Sequence, residues 1–194
     1  MIAMTVRRKY LAVEESVAKE ISREARARGV TLFGYTSDLL RRSLEIERKL
    51  MSLKEAQEQL EALLFAKELG FILIPEYLAA HLMNKTPLDD LRRFSEEAGI
   101  ICGRYFTLKK GHKPPSELLK DAVKKLLWNA TDLIVEENRS AGSIAVTCIL
   151  SLRDQSYAEA IASFIEGFMK ALSYKASRRD VGKGMVSLLL KKQS

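Results

Sequence analysis

Few residues of this 194-residue chain have the types and spacing that bond-making chemistry requires. The two histidines, His81 and His112, lie far apart, and neither they nor Cys102 and Cys148 join carboxylates at the spacing that zinc, nickel or iron takes. Two cysteines are also too few for a disulfide framework. Cys148 alternates with apolar residues and reads as a buried, inert thiol. Asp180-Val181-Gly182-Lys183-Gly184 has the look of a phosphate loop. It lacks the leading glycine, however, and has Gly184 where a serine or threonine must follow the lysine. Glu96-Glu97 and Glu136-Glu137 are adjacent carboxylates with no sign of a cleft between them. No catalytic residue, metal site or cofactor is therefore expected, and the chain reads as a non-enzyme.

What remains is charge. The net charge is +7 and the pI near 9.4, but the excess is uneven. Residues 1–50 carry +4, residues 51–100 carry −4 and residues 101–194 carry +7. A basic protein suits a nucleic-acid partner without requiring one. The 47% hydrophobic content is that of a globular chain and excludes a mostly disordered one. No apolar run approaches the roughly 18 residues of a membrane span; the best, Phe71–Ile74, stops at Pro75. The N-terminal stretch has no long apolar core and is not expected to be a signal peptide. A cytoplasmic protein with no membrane partner is expected.

The elements that would carry the basic N-terminal residues are a strand and two helices. Val6–Val13 alternates, with Arg8, Tyr10 and Ala12 on one side and Lys9, Leu11 and Val13 on the other. A helix begins near Glu14-Glu15, with Val17, Ile21 and Ala25 at helical spacing, and ends at Gly29. After a loop at residues 30–35, Thr36 or Ser37 caps a second helix bearing Leu39, Leu40, Ser43 and Leu44. One strand and two short helices cannot bury a core alone, whereas a two-fold dimer can pair the strands and cover the helices.

On these residues the segment resembles the ribbon-helix-helix family of DNA-binding proteins. The resemblance implies a two-stranded ribbon from two copies lying in the major groove of double-stranded DNA. Arg8 would then read guanine with Tyr10 and Ala12 beside it. Backbone N–H groups at Ser37 and Asp38 would hold a phosphate, and Arg7, Lys9, Arg41 and Arg42 would supply supporting charge. The alternative is a basic helical hairpin that serves dimerisation only.

The middle of the chain, residues 51–108, reads as a helical connector: a helix over Leu53–Leu69, another starting at Pro75-Glu76, and a third capped by Thr86 with Pro87 in its first turn. Its acidic residues are most simply a solvated face. Lys109–Pro115 reads as a linker, with Ser116 capping the helix beyond it. The third domain, residues 109–194, has a helical part that begins as early as residue 86. Strands are expected at Thr131–Glu137, Ser143–Leu152, Tyr174–Val181 and Met185–Lys192. A long amphipathic helix carrying Tyr157, Ile161, Phe164, Ile165, Phe168 and Leu172 lies between the two pairs.

The fold class is thus α+β: an N-terminal strand-helix-helix that dimerises by strand pairing, a helical segment, then a small antiparallel sheet covered by helices on one face. Glu96–Gly103, the strands around Ile134 and Val146, and Phe164–Leu172 give this half a resemblance to the 4-vinyl-reductase domain, which is related to subunits of the TRAPP tethering complexes. The resemblance implies a small apolar ligand or a dimer interface, with Phe164, Gly167 and Phe168 as ligand-binding candidates. Gly167 inside a helix costs about 1 kcal/mol against alanine, so a close neighbour is expected there. Packing against the sheet is the favoured reading; a ligand wall is the other. Overall the leading expectation is a homodimeric (or higher even oligomeric) DNA-binding transcriptional regulator. The alternative is a 4-vinyl-reductase-like scaffold or small-molecule-binding protein whose N-terminal segment only oligomerises.

Overall fold

The computed structural model describes residues 9–49, 51–138 and 140–193, except for the side chain of Lys110. The chain divides into two compact units, Met1–Glu58 and Gln59–Ser194. The first contains the helices α1 (Glu15–Ala27) and α2 (Leu32–Lys49), and α3 (Leu53–Glu68) leads from it into the second. The second continues with α4 (Glu76–Lys85), α5 (Leu88–Lys110), α6 (Pro115–Leu126), β1 (Ala130–Asn138), β2 (Ser143–Leu150), α7 (Gln155–Lys170), β3 (Tyr174–Gly182) and β4 (Met185–Lys192). The architecture is α+β.

In the first unit, α1 closes on Gly29, whose φ of 67° is the left-handed conformation glycine adopts without steric cost. The described part of the expected strand does not form one. Lys9–Val13 is irregular, while Val6, Arg7 and Arg8 lie outside the described residues. The second helix also starts earlier than expected, at Leu32 instead of after Thr36 or Ser37. Thr31 caps it, its hydroxyl oxygen accepting from Gly34 N–H at 3.1 Å and its carbonyl from Tyr35 N–H at 2.9 Å. Val30–Tyr35 reads as a loop because Thr31 is one of several residues in the stretch able to cap, and apolar Leu32 and Phe33 give no start signal of their own. Ser52 and Glu55 form a reciprocal capping box before α3: Ser52 N–H donates to the Glu55 carboxylate at 3.0 Å, and Glu55 N–H to Ser52 Oγ at 3.2 Å.

In the second unit, one antiparallel sheet has the order β1-β2-β4-β3. Ile144, Val146, Cys148 and Leu150 of β2 and Val186, Leu188 and Leu190 of β4 face the core. There they meet Leu118, Leu119 and Val123 of α6 and Ile161, Ile165, Phe168 and Met169 of α7. Phe106 of α5 lies edge-on to Phe168 at 5.5 Å and to Phe65 of α3 at 4.8 Å, which ties α3 and α5 into the same core.

Three expected helix boundaries move. Thr86 does not start α5; its hydroxyl donates to the Leu82 carbonyl at 2.9 Å and closes α4, and Pro87 takes the N-cap position. α5 passes through Gly99 and Gly103 to Lys110, so the expected linker at Lys109–Pro115 shrinks to the turn before α6. Ser116 lies within the first turn of α6, where its hydroxyl donates to the Glu137 carboxylate of β1 at 2.7 Å instead of capping. Phe71–Ile74 is irregular, because Gly70 and Pro75 end the helices on either side.

Candidate interaction surfaces

The first surface is the α1–α2 hairpin. Ala25 is its single buried residue among those described in the two helices. Val17, Val30, Leu32, Phe33, Leu39, Leu40 and Leu44 are each at least 42% exposed. Some of its charges are matched within each helix: Lys19 to Glu15 at 2.7 Å, Arg42 to Asp38 at 2.9 Å, and Lys49 to Glu45 at 2.6 Å, each at i,i+4 spacing, while Arg23, Arg26, Arg41 and Arg48 join no ion pair among the described residues. Of the residues expected at DNA, Lys9, Tyr10 and Ala12 are exposed, and so are Arg41 and Arg42. Ser37 and Asp38 lie in the second turn of α2, where their N–H groups belong to the i→i−4 ladder and are not free for a phosphate. In the first turn, Gly34 and Tyr35 N–H are already taken by Thr31. The sequence shows Arg42 four residues beyond Asp38, and that spacing alone points to the helical ion pair.

The second feature is the seam between α5 and α7. A methyl group on Gly167 would overlap the backbone carbonyl of Glu96. One on Gly99 would lie 2.8 Å from Phe168 N, and one on Gly103 2.8 Å from the Ala171 methyl. Three glycines thus let two helix backbones touch, so the close neighbour of Gly167 is α5 and not the sheet. Phe164 and Phe168 are buried in the same core, so Phe164, Gly167 and Phe168 share one region of α7 and are engaged there by protein atoms.

Beside the seam lies a buried ion cluster that sequence reasoning missed. Glu159 of α7 is nearly inaccessible and accepts from Arg179 of β3 at 2.7 Å and from Arg92 of α5 at 3.0 Å. Arg179 also reaches Glu166 at 3.2 Å. A bulge in β3 between Ala176 and Arg178 changes the alternation, so that Arg179 pairs opposite core-facing Leu188. Burial pushes the Glu159 carboxyl up, but the hydrogen bonds from Arg179 and Arg92 outweigh it and hold the group below its ordinary range. Glu166 moves the other way, because burial outweighs its attraction to Arg179. The cluster pairs its charges internally, with two arginines against two glutamates, as a structural joint does.

The third surface is the sheet face opposite the helices. A shallow groove of about 610 Å³ runs along it, lined by Glu136, Glu137, Asn138, Ser140, Ser143, Ala145 and Leu189. A second shallow groove, of about 450 Å³, follows α1 along Glu15, Lys19 and Arg26. None of Phe164, Gly167 and Phe168 lines either groove. Among the described residues no three His, Cys, Asp or Glu side chains converge as metal ligands. No helix of the described residues is long and apolar enough to cross a membrane. Burial pushes the Cys102 thiol up to about 12 and the Cys148 thiol to about 11.

No family model matches the chain, and neither does any curated protein. Among solved structures there is a distant likeness to the crystal structure of a trafficking protein particle complex subunit 3 from Naegleria fowleri, covalently bound to palmitic acid. The TM-score is 0.39 and the identity 11%, over 70% of this chain and 96% of that one. None of the comparisons supports a ribbon-helix-helix segment.

Proposed function

We propose that this protein acts by association and not by catalysis: the α1–α2 hairpin joins copies of the chain, and the α/β unit is the scaffold they carry. The observation behind this reading is the hairpin's exposed apolar surface. Seven large apolar side chains stand open around one buried alanine. Full burial of one such side chain contributes about 1.5–3 kcal/mol. Even the exposed part of each, taken over two copies, amounts to a sizeable driving force. A second hairpin is the fitting cover. Lys19, Arg42 and Lys49 are matched to carboxylates one turn away, and Arg23, Arg26, Arg41 and Arg48 are the cations left among the described residues of the two helices for a polyanion, which the polarisation experiment below tests.

Light scattering on the full chain tests the reading. The wild type is expected as a dimer or higher even oligomer, and Leu40→Asp/Leu44→Asp as a monomer with unchanged helix content. A wild-type monomer at all accessible concentrations would overturn it. Fluorescence polarisation with duplex DNA at low salt separates this reading from a DNA-binding one: sequence-dependent binding that weakens steeply with salt would favour DNA.

A further inference from the structure

The outer face of the sheet has an order that fits itself. Glu136 of β1, Ala145 of β2, Leu189 of β4 and Arg178 of β3 form one cross-strand row. The row runs from an acidic edge, over a small residue and a large apolar one, to a basic edge. Two rows along the same face, beyond Ile134–Thr147–Ser187–Asp180, Ile149 and Met185 are opposed on the two central strands, 42% and 43% exposed. Glu136 and Arg178 are both exposed, and neither joins an ion pair among the described residues.

We infer that this face is a sheet-on-sheet interface with a second copy of the chain, related by a two-fold axis parallel to the strands. That operation lays β1 over the partner's β3 and β2 over the partner's β4. Glu136 then faces the partner's Arg178, and Ala145 faces the partner's Leu189, small against large. Ile149 comes over the partner's Met185. Each contact occurs twice, as an isologous interface demands. A two-fold axis running across the strands would instead stack the acidic β1 on itself and set like charges together. Sheets packed this way lie about 10 Å apart with strands within about 30° of each other, which leaves the row in register near its centre.

Four strands make a face only about 15 Å wide, so the contact is small and suits a weak association. It stands independently of the hairpin. A covalent trap reads it directly. In Glu136→Cys/Arg178→Cys the two new thiols of one chain are about 14 Å apart, three strand spacings. Across the interface the facing positions are about 10 Å apart, too far for a direct disulfide but within reach of a short bis-maleimide whose spacer spans that gap and not the longer one within a chain. The native thiols are buried and hard to ionise, so they add no background.

With a short bis-maleimide as the cross-linker, the double variant is expected to give a covalent dimer in at least about tenfold higher yield than either single variant. Equal yields from single and double variants, or no dimer from the double, would overturn the inference. The cross-link reports the sheet face alone. A chain that is monomeric by light scattering but cross-links here would sink the hairpin reading and leave this one standing; the reverse pattern would do the opposite.

Discussion

Gly167 of α7 lies directly against the backbone carbonyl of Glu96 in α5, with no room for a methyl group between them. Gly99 and Gly103 make the same approach from the α5 side. The conformational cost of these helix-interior glycines is offset by a close backbone contact that no larger residue permits. Gly167→Ala should therefore lower stability by about 2–3 kcal/mol or more through overpacking. Gly182→Ala, where nothing lies within 4 Å, should stay within about 0.5 kcal/mol of wild type. Urea denaturation of both variants checks the pair.

Glu159 and Glu166 should respond to pH with opposite signs. The folded state lowers the Glu159 pKa, so its contribution is present above the unfolded value and is lost as pH falls through the folded one. Glu159→Gln should cost about 2–3 kcal/mol at pH 7, since it leaves Arg179 and Arg92 short of a counter-charge, and cost less in acid. The folded state raises the Glu166 pKa, so its contribution is present below the unfolded value and is lost as pH rises through the folded one. Glu166→Gln should accordingly raise stability at pH 7. Equal losses in the two variants across the pH range would contradict this assignment.

The two thiols should be inert in the native protein. Both are buried, and burial holds them at about 12 and about 11. Iodoacetamide at pH 8 should label neither Cys102 nor Cys148 until denaturant is added, when both should react. Mass spectrometry of the two samples distinguishes these states.

Asp154 caps α7 by accepting from Tyr157 N–H at 2.9 Å, and it also accepts from Asn84 of α4 at 3.0 Å. The Tyr157 backbone bond is the main cause of its lowered pKa. Asp154→Ala should cost about 1 kcal/mol at neutral pH, while Asp154→Asn should retain part of the cap. The difference between Asp154→Ala and wild type should shrink as pH falls through the folded-state pKa, because the protonated carboxyl no longer favours the fold. Thermal unfolding at pH 7 and pH 3 provides the comparison.

The second unit was the more legible in sequence. Strand alternation around Cys148, and the helical spacing of Ile161, Ile165 and Phe168, place the core where the structure has it. Boundaries were harder to read wherever two residues could do the same job. Thr31 caps α2 where Thr36 and Ser37 also qualify, and Thr86 closes one helix where it could open the next. The Ser52–Glu55 capping box went unread, although a serine followed three residues later by a glutamate is its signature. The Glu159–Arg179 joint was not legible, because a β-bulge breaks the simple alternation that a strand reading assumes. The glycines were half legible: their cost in a helix signals a close neighbour, but only the fold identifies that neighbour as Glu96. The outer sheet face became readable only once the strand order was known, since Glu136 and Arg178 are remote in sequence and share a row through two intervening strands.

The most direct test of the proposed role is the mass of the full chain in solution, measured by light scattering over a wide concentration range beside Leu40→Asp/Leu44→Asp. The expected result is an even oligomer for the wild type and a folded monomer for the variant. A wild type that remains monomeric throughout, or a variant that keeps the wild-type mass, would contradict assembly through the α1–α2 hairpin.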